Sequence, residues 1–206
     1  MTPESWAAFA AASALVIAIP GPTVLLVCAY ALGAGRATAV WTAAGVALGD
    51  LLAMSASLAG LGALLLAWGE AFMVLKIAGG LYLIWLGVKL WCAAPAEGLG
   101  ARRAAAPGWR MALHAFAVTA TNPKSIVFFI AFTPLFLDPA APIWPQFAVM
   151  IPTFTAIGGL NALLYAVAAG TLRASLARPQ ALRWLNRGGG AALAGMGAAT
   201  ALAARP

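Results

Sequence analysis

Long apolar stretches without a charged side chain fill most of this sequence, and the first of them runs from Ser5 to Gly35. Hydrophobic residues make up 64% of the 206 residues and charged residues only 8%, whereas soluble domains carry about 25% charged residues. A soluble core has no use for so much apolar sequence, and so few charges cannot solvate a globular surface. The sequence therefore predicts an all-α integral membrane protein and excludes secreted, nucleic-acid-binding and disulfide-framework classes.

The apolar stretches are long enough for several membrane-spanning helices, since one helix crosses the hydrocarbon core in about 20 residues. Charges and helix-breaking residues delimit six spans near 5–31, 38–67, 71–91, 111–136, 146–171 and 188–204. Glu4 stands where a secretory signal would carry basic residues, so we interpret the first stretch as a span and not as a cleaved signal. The chain is thus predicted to be a multi-pass membrane protein.

The basic residues fall in alternate connections between these spans. Nine of the twelve Lys and Arg residues lie in the first, third and fifth connections: Arg36, Lys89, Arg102, Arg103, Arg110, Arg173, Arg178, Arg183 and Arg187. By the positive-inside rule these connections face the cytoplasm and both termini face outward. The net charge of +7 is then explained by topology and needs no nucleic acid. Residues 172–187 mix four arginines with leucine and tryptophan, which predicts contact with anionic lipid at the cytoplasmic interface.

A linker at 93–110, rich in Ala, Gly, Pro and Arg, divides the single transmembrane domain of residues 1–206 into two halves. Repeat one covers about 1–92 and repeat two about 111–206, with three spans in each. An odd number of spans per half puts the halves in opposite orientations. The sequence therefore predicts two inverted three-helix repeats, an arrangement common in secondary transporters.

Each predicted half contains a broken first helix, at Pro20-Gly21-Pro22 and at Asn122-Pro123-Lys124. Pro20 and Pro22 leave the carbonyls of Val16 and Ala18 without helical partners, because proline has no N–H to donate. A broken helix at membrane depth is tolerated where it lines a cavity. We therefore favour a binding site at the two matched breaks, and a plain kink is the alternative.

Two ionisable residues are predicted near the middle of the membrane. Asp50 lies some twelve residues into the second span, which at about 1.5 Å per residue is about 18 Å, and Lys124 lies at similar depth in the other half. Charged groups in hydrocarbon are functional candidates by default. We interpret Asp50 as the proton-exchanging group; a structural ion pair with Lys124 is the alternative, and the two uses can coexist.

Asn161 extends this polar region to the fifth predicted span. Gly158 and Tyr165 share its helical face, because they are three and four residues away. The face is typical of a cavity wall with close backbone approach, and equally of hydrogen-bonded packing between membrane helices. Both interpretations stay open from the sequence.

The sequence predicts no metal site, no cofactor and no enzyme activity. Cys28 and Cys92 are far apart and lie outside any metal-ligand spacing. Asp50 has no second carboxylate, His or Ser at catalytic spacing. A non-transporting membrane scaffold or partner subunit, or a passive channel, are the alternatives to a transporter; paired helix breaks and mid-membrane charges favour the transporter.

Several short motifs, taken together, resemble the lysine exporter (LysE/RhtB-type) family of amino-acid efflux proteins. They are Pro20-Gly21-Pro22, Gly45 with Gly49-Asp50, Lys76, Gly79, Tyr82-Leu83, Leu86-Gly87, Asn122-Pro123-Lys124, Phe128-Phe129, Phe132, Pro134 and Phe136. Their order and spacing extend over essentially the whole chain. The resemblance implies a six-span exporter in the bacterial cytoplasmic (inner) membrane that moves amino acids or close derivatives outward, coupled to the proton gradient.

Thr23 departs from this family pattern, because many similar members carry an acidic residue after Pro-Gly-Pro. One fewer anion weakens binding of a cationic substrate and favours a neutral amino acid. Its carboxylate would meet a helix N-terminus or Lys124, and its ammonium group would meet Asp50 or free carbonyls. We therefore predict a proton-coupled antiporter with alternating access.

The predicted site combines the two breaks with residues of the second and fifth spans. Substrate binding is assigned to Pro20, Gly21, Pro22, Thr23, Asn122, Pro123, Lys124 and Asn161, and proton coupling to Asp50. The predicted partners are a small amino acid, protons, anionic lipid and a second copy of the chain in a homodimer.

Overall fold

The computed structural model describes residues 1–67, 69–93, 106–138, 140–176 and 179–202, and this part of the chain is helical throughout except for short connections. The helices are α1 (Pro3–Ala18), α2 (Pro22–Ala34), α3 (Thr38–Ala67), α4 (Gly69–Cys92), α5 (Gly108–Ala120), α6 (Pro123–Val127), α7 (Ile143–Leu176) and α8 (Pro179–Leu202). A π-helical segment, Phe128–Phe132, and a 3-10 turn, Thr133–Phe136, continue α6. The predicted all-α class is confirmed.

Two of these helices are long and apolar enough to cross a membrane on their own, at Thr38–Ala63 and Ile143–Ala169. Two further pairs qualify as broken spans: α1 with α2, bent by 57°, and α5 with Pro123–Phe136, bent by 44°. A shorter apolar helix runs over Ile77–Cys92. The chain is therefore a multi-pass helical membrane protein, and both predicted breaks are real breaks in helices.

Local sequence explains where each broken helix restarts. Gly21 is extended, with φ −136° and ψ −169°, and Pro22 begins α2; proline suits the first helical turn because its φ is already helical and its N–H is not needed there. In the second half Asn122 caps α6, and its side-chain oxygen accepts the backbone N–H of Lys124 at 3.1 Å. Asparagine is among the best residues for this capping bond.

The fifth connection is much shorter than the sequence predicts. Helix α7 continues to Leu176 and α8 begins at Pro179, so most of the basic stretch 172–187 is helical. Arginine, leucine and alanine all favour helix, so charge marks a membrane boundary here without ending the helix. Helix α5 likewise begins inside the predicted linker 93–110, of which residues 94–105 lie outside the described part of the chain.

Glycine lets helices approach closely at two interfaces. Helix α4 packs along α8, and a Cβ added at Gly80 would lie 2.8 Å from the Gly197 carbonyl oxygen. Helix α3 packs against both α5 and α7, and a Cβ at Gly49 would lie 2.7 Å from the Cβ of Thr119. Both glycine contacts therefore bring helices together within one chain.

Two apolar clusters contribute residues to the wall of a cavity. The aromatic cluster consists of Phe9, Phe128, Phe129, Phe132, Phe136 and Phe154, with neighbouring ring centroids 4.7 to 6.2 Å apart. The alanine-rich cluster consists of Leu26, Val27, Tyr30, Ala31, Ala39, Val46, Met111, Ala115, Ala162, Ala166 and Ala169. The cavity wall includes Phe154 from the first cluster and Val27, Val46 and Ala162 from the second, so both clusters contribute to it.

Candidate functional site

A cavity of about 40 Å³ lies where the two broken helices meet α3 and α7. Its polar lining residues are Thr23, Asp50, Thr119, Asn122, Lys124, Ser125 and Asn161. Aliphatic and aromatic residues form the rest of the wall, together with the glycines at 21 and 158. The cavity therefore combines apolar surface with a few convergent polar groups, as binding sites do.

The structure brings most of the predicted site residues together around this cavity. Those that line it are Gly21, Thr23, Asp50, Asn122, Lys124 and Asn161. The three prolines Pro20, Pro22 and Pro123 lie outside the lining, and they create the backbone breaks that bring their neighbours to the cavity. Sequence reasoning missed Thr119 and Ser125, which flank Asn122 by three residues on either side.

Lys124 hydrogen-bonds to the end of the first broken helix. Its Nζ donates to the carbonyl oxygens of Val16 and Ile19, each at 3.0 Å. The Val16 carbonyl also accepts the backbone N–H of Ile19 at 3.3 Å. A helix C-terminus carries partial negative charge, so the ammonium group is held by both the carbonyls and the helix dipole.

The two carbonyls between them are bonded by α7. Asn161 Nδ2 donates to the Ile17 carbonyl at 3.3 Å, and Tyr165 Oη donates to the Ala18 carbonyl at 2.9 Å. Every carbonyl from residue 16 to 19 therefore accepts a hydrogen bond from a side chain of the second half of the chain. The sequence predicts that Val16 and Ala18 lose their helical partners; the structure shows which side chains replace those partners.

Asp50 is buried, with 4% of its surface exposed, and its carboxylate faces Gly158 across the helix interface. A Cβ added at Gly158 would collide with this carboxylate. Among the described residues, no hydrogen bond and no direct salt bridge forms at the Asp50 side chain, although its charge interacts with that of Lys124 across the same cavity. The ion pair considered from the sequence is therefore not a direct contact in this structure.

A polar contact joins the two breaks directly. Asn122 Nδ2 donates to Thr23 Oγ1 at 3.5 Å, and the hydroxyl groups of Thr23 and Thr119 are 3.4 Å apart. Thr23, which replaces the expected acid, thus binds neutral partners. At the alanine-rich cluster, Tyr30 Oη and His114 Nδ1 are 3.0 Å apart and link α2 to α5.

Metal-ligand chemistry has no site among the residues that the structure describes, since no group of three His, Cys, Asp or Glu side chains converges there. Cys28 is buried and its thiol faces the Tyr165 carbonyl at 4.0 Å, whereas Cys92 is exposed. The groups that converge on the cavity are instead hydroxyl, amide, ammonium, carboxylate and backbone carbonyl groups, which suit a small polar organic ligand.

Residues 14–203, nearly the whole chain, match the sequence profile of the LysE type translocator. The chain belongs to the LysE family. This LysE-family chain is 32% identical over 203 residues to a homoserine/homoserine lactone efflux protein of Salmonella typhimurium, an alignment that covers 98% of each protein. It is also 32% identical to a leucine efflux protein of Enterobacter sp. over 61% of this chain and 60% of that protein.

The family assignment confirms the resemblance that the motifs indicate. LysE-family relatives are named as efflux proteins, so the chain is a membrane transporter and not an enzyme. No solved structure matches the chain.

Proposed function

We propose that this chain is a secondary active exporter of neutral amino acids or close derivatives, working by proton-coupled antiport in the bacterial cytoplasmic membrane. The observation that carries the proposal is a cavity in which Asp50 lies beside the interrupted ends of two broken helices. Among the described residues, its carboxylate has no hydrogen-bond or salt-bridge partner. The names of the relatives, which refer to leucine, homoserine and its lactone, support an amino-acid substrate.

The polar groups of the cavity complement both ends of an amino acid. Asp50 and the carbonyls at the end of α1 can accept hydrogen bonds from an ammonium group, and Lys124 can donate to a carboxylate. The first turn of α2 adds positive partial charge at Gly21. A free α-amino acid carries both groups on the same carbon atom.

The remaining wall favours a neutral side chain. Val24, Val27, Val46 and Phe154 provide apolar surface, and Asp50 is the single acidic residue among the described lining residues. A cationic substrate would need a second anion for its side chain, because an unpaired charge is costly in such a site. We therefore propose that the exported substrate is a neutral amino acid similar to leucine or homoserine.

Proton coupling follows if a proton and the substrate compete for Asp50. A carboxylate buried without a partner is expensive, so it is stabilised by either a proton or a cation. When the substrate's ammonium group pairs with Asp50, the proton must leave; when the substrate has been released, a proton returns. Because the proton and the substrate occupy Asp50 in turn, they cross the membrane in opposite directions, which is antiport.

Alternating access would come from rocking of two inverted repeats around the cavity. The aromatic cluster and the alanine-rich cluster both contribute to the cavity wall and would act as the two gates. In this proposal residues 1–206 form one transporter domain with six spans and both termini outside. Arg187, which lies over the rings of Trp91 and Trp184 at 5.8 and 5.9 Å, would contact anionic lipid at the cytoplasmic surface.

The test of the substrate class is efflux with an imposed pH gradient. Inverted membrane vesicles that contain the protein are energised and offered leucine, homoserine, lysine and glutamate in turn, with vesicles from cells lacking the protein as the control. We expect accumulation of the two neutral amino acids that collapses when the gradient is dissipated. Accumulation of lysine or glutamate in preference would overturn the neutral assignment. Substrate entry at the same rate with and without the pH gradient would indicate a passive channel. The absence of entry for every substrate would favour the membrane scaffold.

A further inference from the structure

We infer that the C-terminal end of α1 is a binding site for primary ammonium groups, and that Lys124 is its tethered occupant, displaced when a ligand ammonium group binds. For the identity of the natural ligand this inference rests on the proposed function. The site itself does not, because any small primary amine has the required chemistry.

The geometry at Lys124 is that of an ammonium site. Nζ lies 3.0 Å from both the Val16 and the Ile19 carbonyl oxygens, at the negative end of a sixteen-residue helix. An ammonium group has three donors, and the described residues use only two of them. The third is left for a ligand in the cavity or for the carboxylate that shares it.

The neighbouring carbonyls show that a charged group is not needed to complete this helix end. Ile17 and Ala18 are bonded by the neutral side chains of Asn161 and Tyr165. Lys124 bonds only the two outer carbonyls, while Asp50 in the same cavity has no hydrogen-bond or salt-bridge partner among the described residues. If Lys124 were simply the counter-ion of Asp50, its ammonium group would contact that carboxylate directly, because a buried charge is costly without a paired opposite charge.

Lys124 is also built to leave the site. Lysine carries its charge on a flexible four-carbon stem, unlike the rigid planar group of arginine. Gly21 lies beside the ammonium group and has no side chain; a Cβ there would be in ordinary contact with the ammonium nitrogen, at 3.6 Å. When Lys124 moves away from the carbonyls, its ammonium group can pair with Asp50 or with a ligand carboxylate.

Exchange of one ammonium group for another conserves hydrogen bonds. Two N–H···O bonds from Lys124 are lost and two from the ligand are formed, so the Ile19 carbonyl keeps a partner and the Val16 carbonyl keeps a second donor beside the Ile19 N–H. Leaving such groups unbonded is costly in hydrocarbon. A ligand without N–H donors, such as a quaternary ammonium ion, cannot make this exchange.

Chemical rescue tests the site directly. In Lys124→Ala the missing part of the side chain matches n-propylammonium, so purified protein in lipid nanodiscs is titrated with this amine while thermal unfolding is followed. We expect n-propylammonium to stabilise the variant and to bind it about tenfold or more tightly than it binds the wild type, where a tethered competitor is present at millimolar or higher effective concentration. Propyltrimethylammonium has the same charge and chain but no donors, and it should have no such effect.

The matched control variant is Lys89→Ala, which removes an exposed lysine that lies over Trp85, outside the cavity lining. It should show no gain in affinity for n-propylammonium. Equal stabilisation of Lys124→Ala by both amines, or equal binding of n-propylammonium to wild type and Lys124→Ala, would overturn the inference.

A measurement on the wild type covers the case in which Lys124→Ala does not fold. Leucinamide keeps the ammonium group of leucine but lacks its carboxylate, so at saturation it should increase reductive methylation of Lys124, read by mass spectrometry, and leave that of Lys89 unchanged. Unchanged or decreased labelling of Lys124 would contradict displacement. If amines rescue Lys124→Ala but no amino-acid efflux is detected, the proposed function is wrong and the ammonium site stands. If efflux is proton-coupled but neither rescue nor displacement is seen, the ammonium site is wrong and the proposed function stands.

Discussion

The two mid-membrane charges have different environments within one cavity. Lys124 is held by two backbone carbonyls, whereas Asp50 faces Gly158 and is open to the cavity. The difference separates two roles that sequence alone cannot distinguish. Lys124 completes a helix end, and in the proposed mechanism Asp50 is the group that exchanges a proton or binds a cation.

Gly158 is the residue whose size most directly controls this arrangement. We expect Gly158→Ala to reduce efflux about ten- to hundredfold, because its new methyl group would occupy the position of the Asp50 carboxylate and overpacking costs about 1–3 kcal/mol. The measurement is gradient-driven uptake into inverted vesicles, normalised to the amount of protein in the membrane.

Gly60→Ala is the matched control, since a Cβ at that position of α3 would meet nothing within 4 Å. Its efflux should equal that of the wild type. Normal transport by Gly158→Ala would show that the carboxylate can move away without consequence, and Asp50 would lose its assigned position in the mechanism.

The broken helices are predictable because proline and asparagine act locally. Pro20 and Pro22 end one helix and begin the next, and Asn122 caps its own helix, so both breaks follow from a few neighbouring residues. The positions of Asp50 and Asn161 follow from helical periodicity. These local rules predict six of the cavity-lining residues and the all-helical class.

Other features depend on contacts between distant parts of the chain. The bonds from Lys124 and Tyr165 to the end of α1 join residues more than a hundred positions apart, and no periodicity indicates them. Gln146 is similar: its buried amide bonds the Asp138 N–H at 2.9 Å and the Asp138 carbonyl at 3.0 Å, which organises the connection before α7. The length of α7 was underestimated, because arginine marks the membrane surface but also favours helix.

The interface between α4 and α8 is a glycine contact that should not tolerate added volume. A Cβ at Gly87 would lie 2.5 Å from the Gly190 carbonyl oxygen, so Gly87→Ala must push the two helices apart. We expect a loss of about 1–3 kcal/mol in stability, as for other overpacked sites. Thermal unfolding of the purified protein in detergent measures the effect.

Gly188→Ala serves as its control on α8, because a Cβ there meets nothing within 4 Å. This variant should unfold at or slightly above the wild-type temperature, since alanine favours helix over glycine. Equal unfolding temperatures for Gly87→Ala and the wild type would mean that the helices do not pack this closely in the membrane.

The described part of the chain combines a closely packed helix pair, α4 with α8, and a cavity. The two broken helices bound this cavity together with α3 and α7. All four carbonyls at the end of α1 are bonded by side chains from the second half of the chain. A relative movement of the halves therefore has to exchange these bonds, and a ligand ammonium group is one replacement that keeps them satisfied. In the proposed mechanism, substrate binding and conformational change would be coupled through the same few groups.

Proton movement driven by substrate is the decisive measurement. Proteoliposomes are loaded with leucine and diluted into leucine-free buffer, and a trapped pH-sensitive dye reports protons that enter as leucine leaves; antiport is detected in either orientation of the protein. We expect acidification of the lumen with the wild type and with Glu4→Gln, which removes an exposed acid outside the cavity, and none with Asp50→Asn. Leucine efflux without proton entry in the wild type, or undiminished acidification with Asp50→Asn, would contradict proton-coupled export through Asp50.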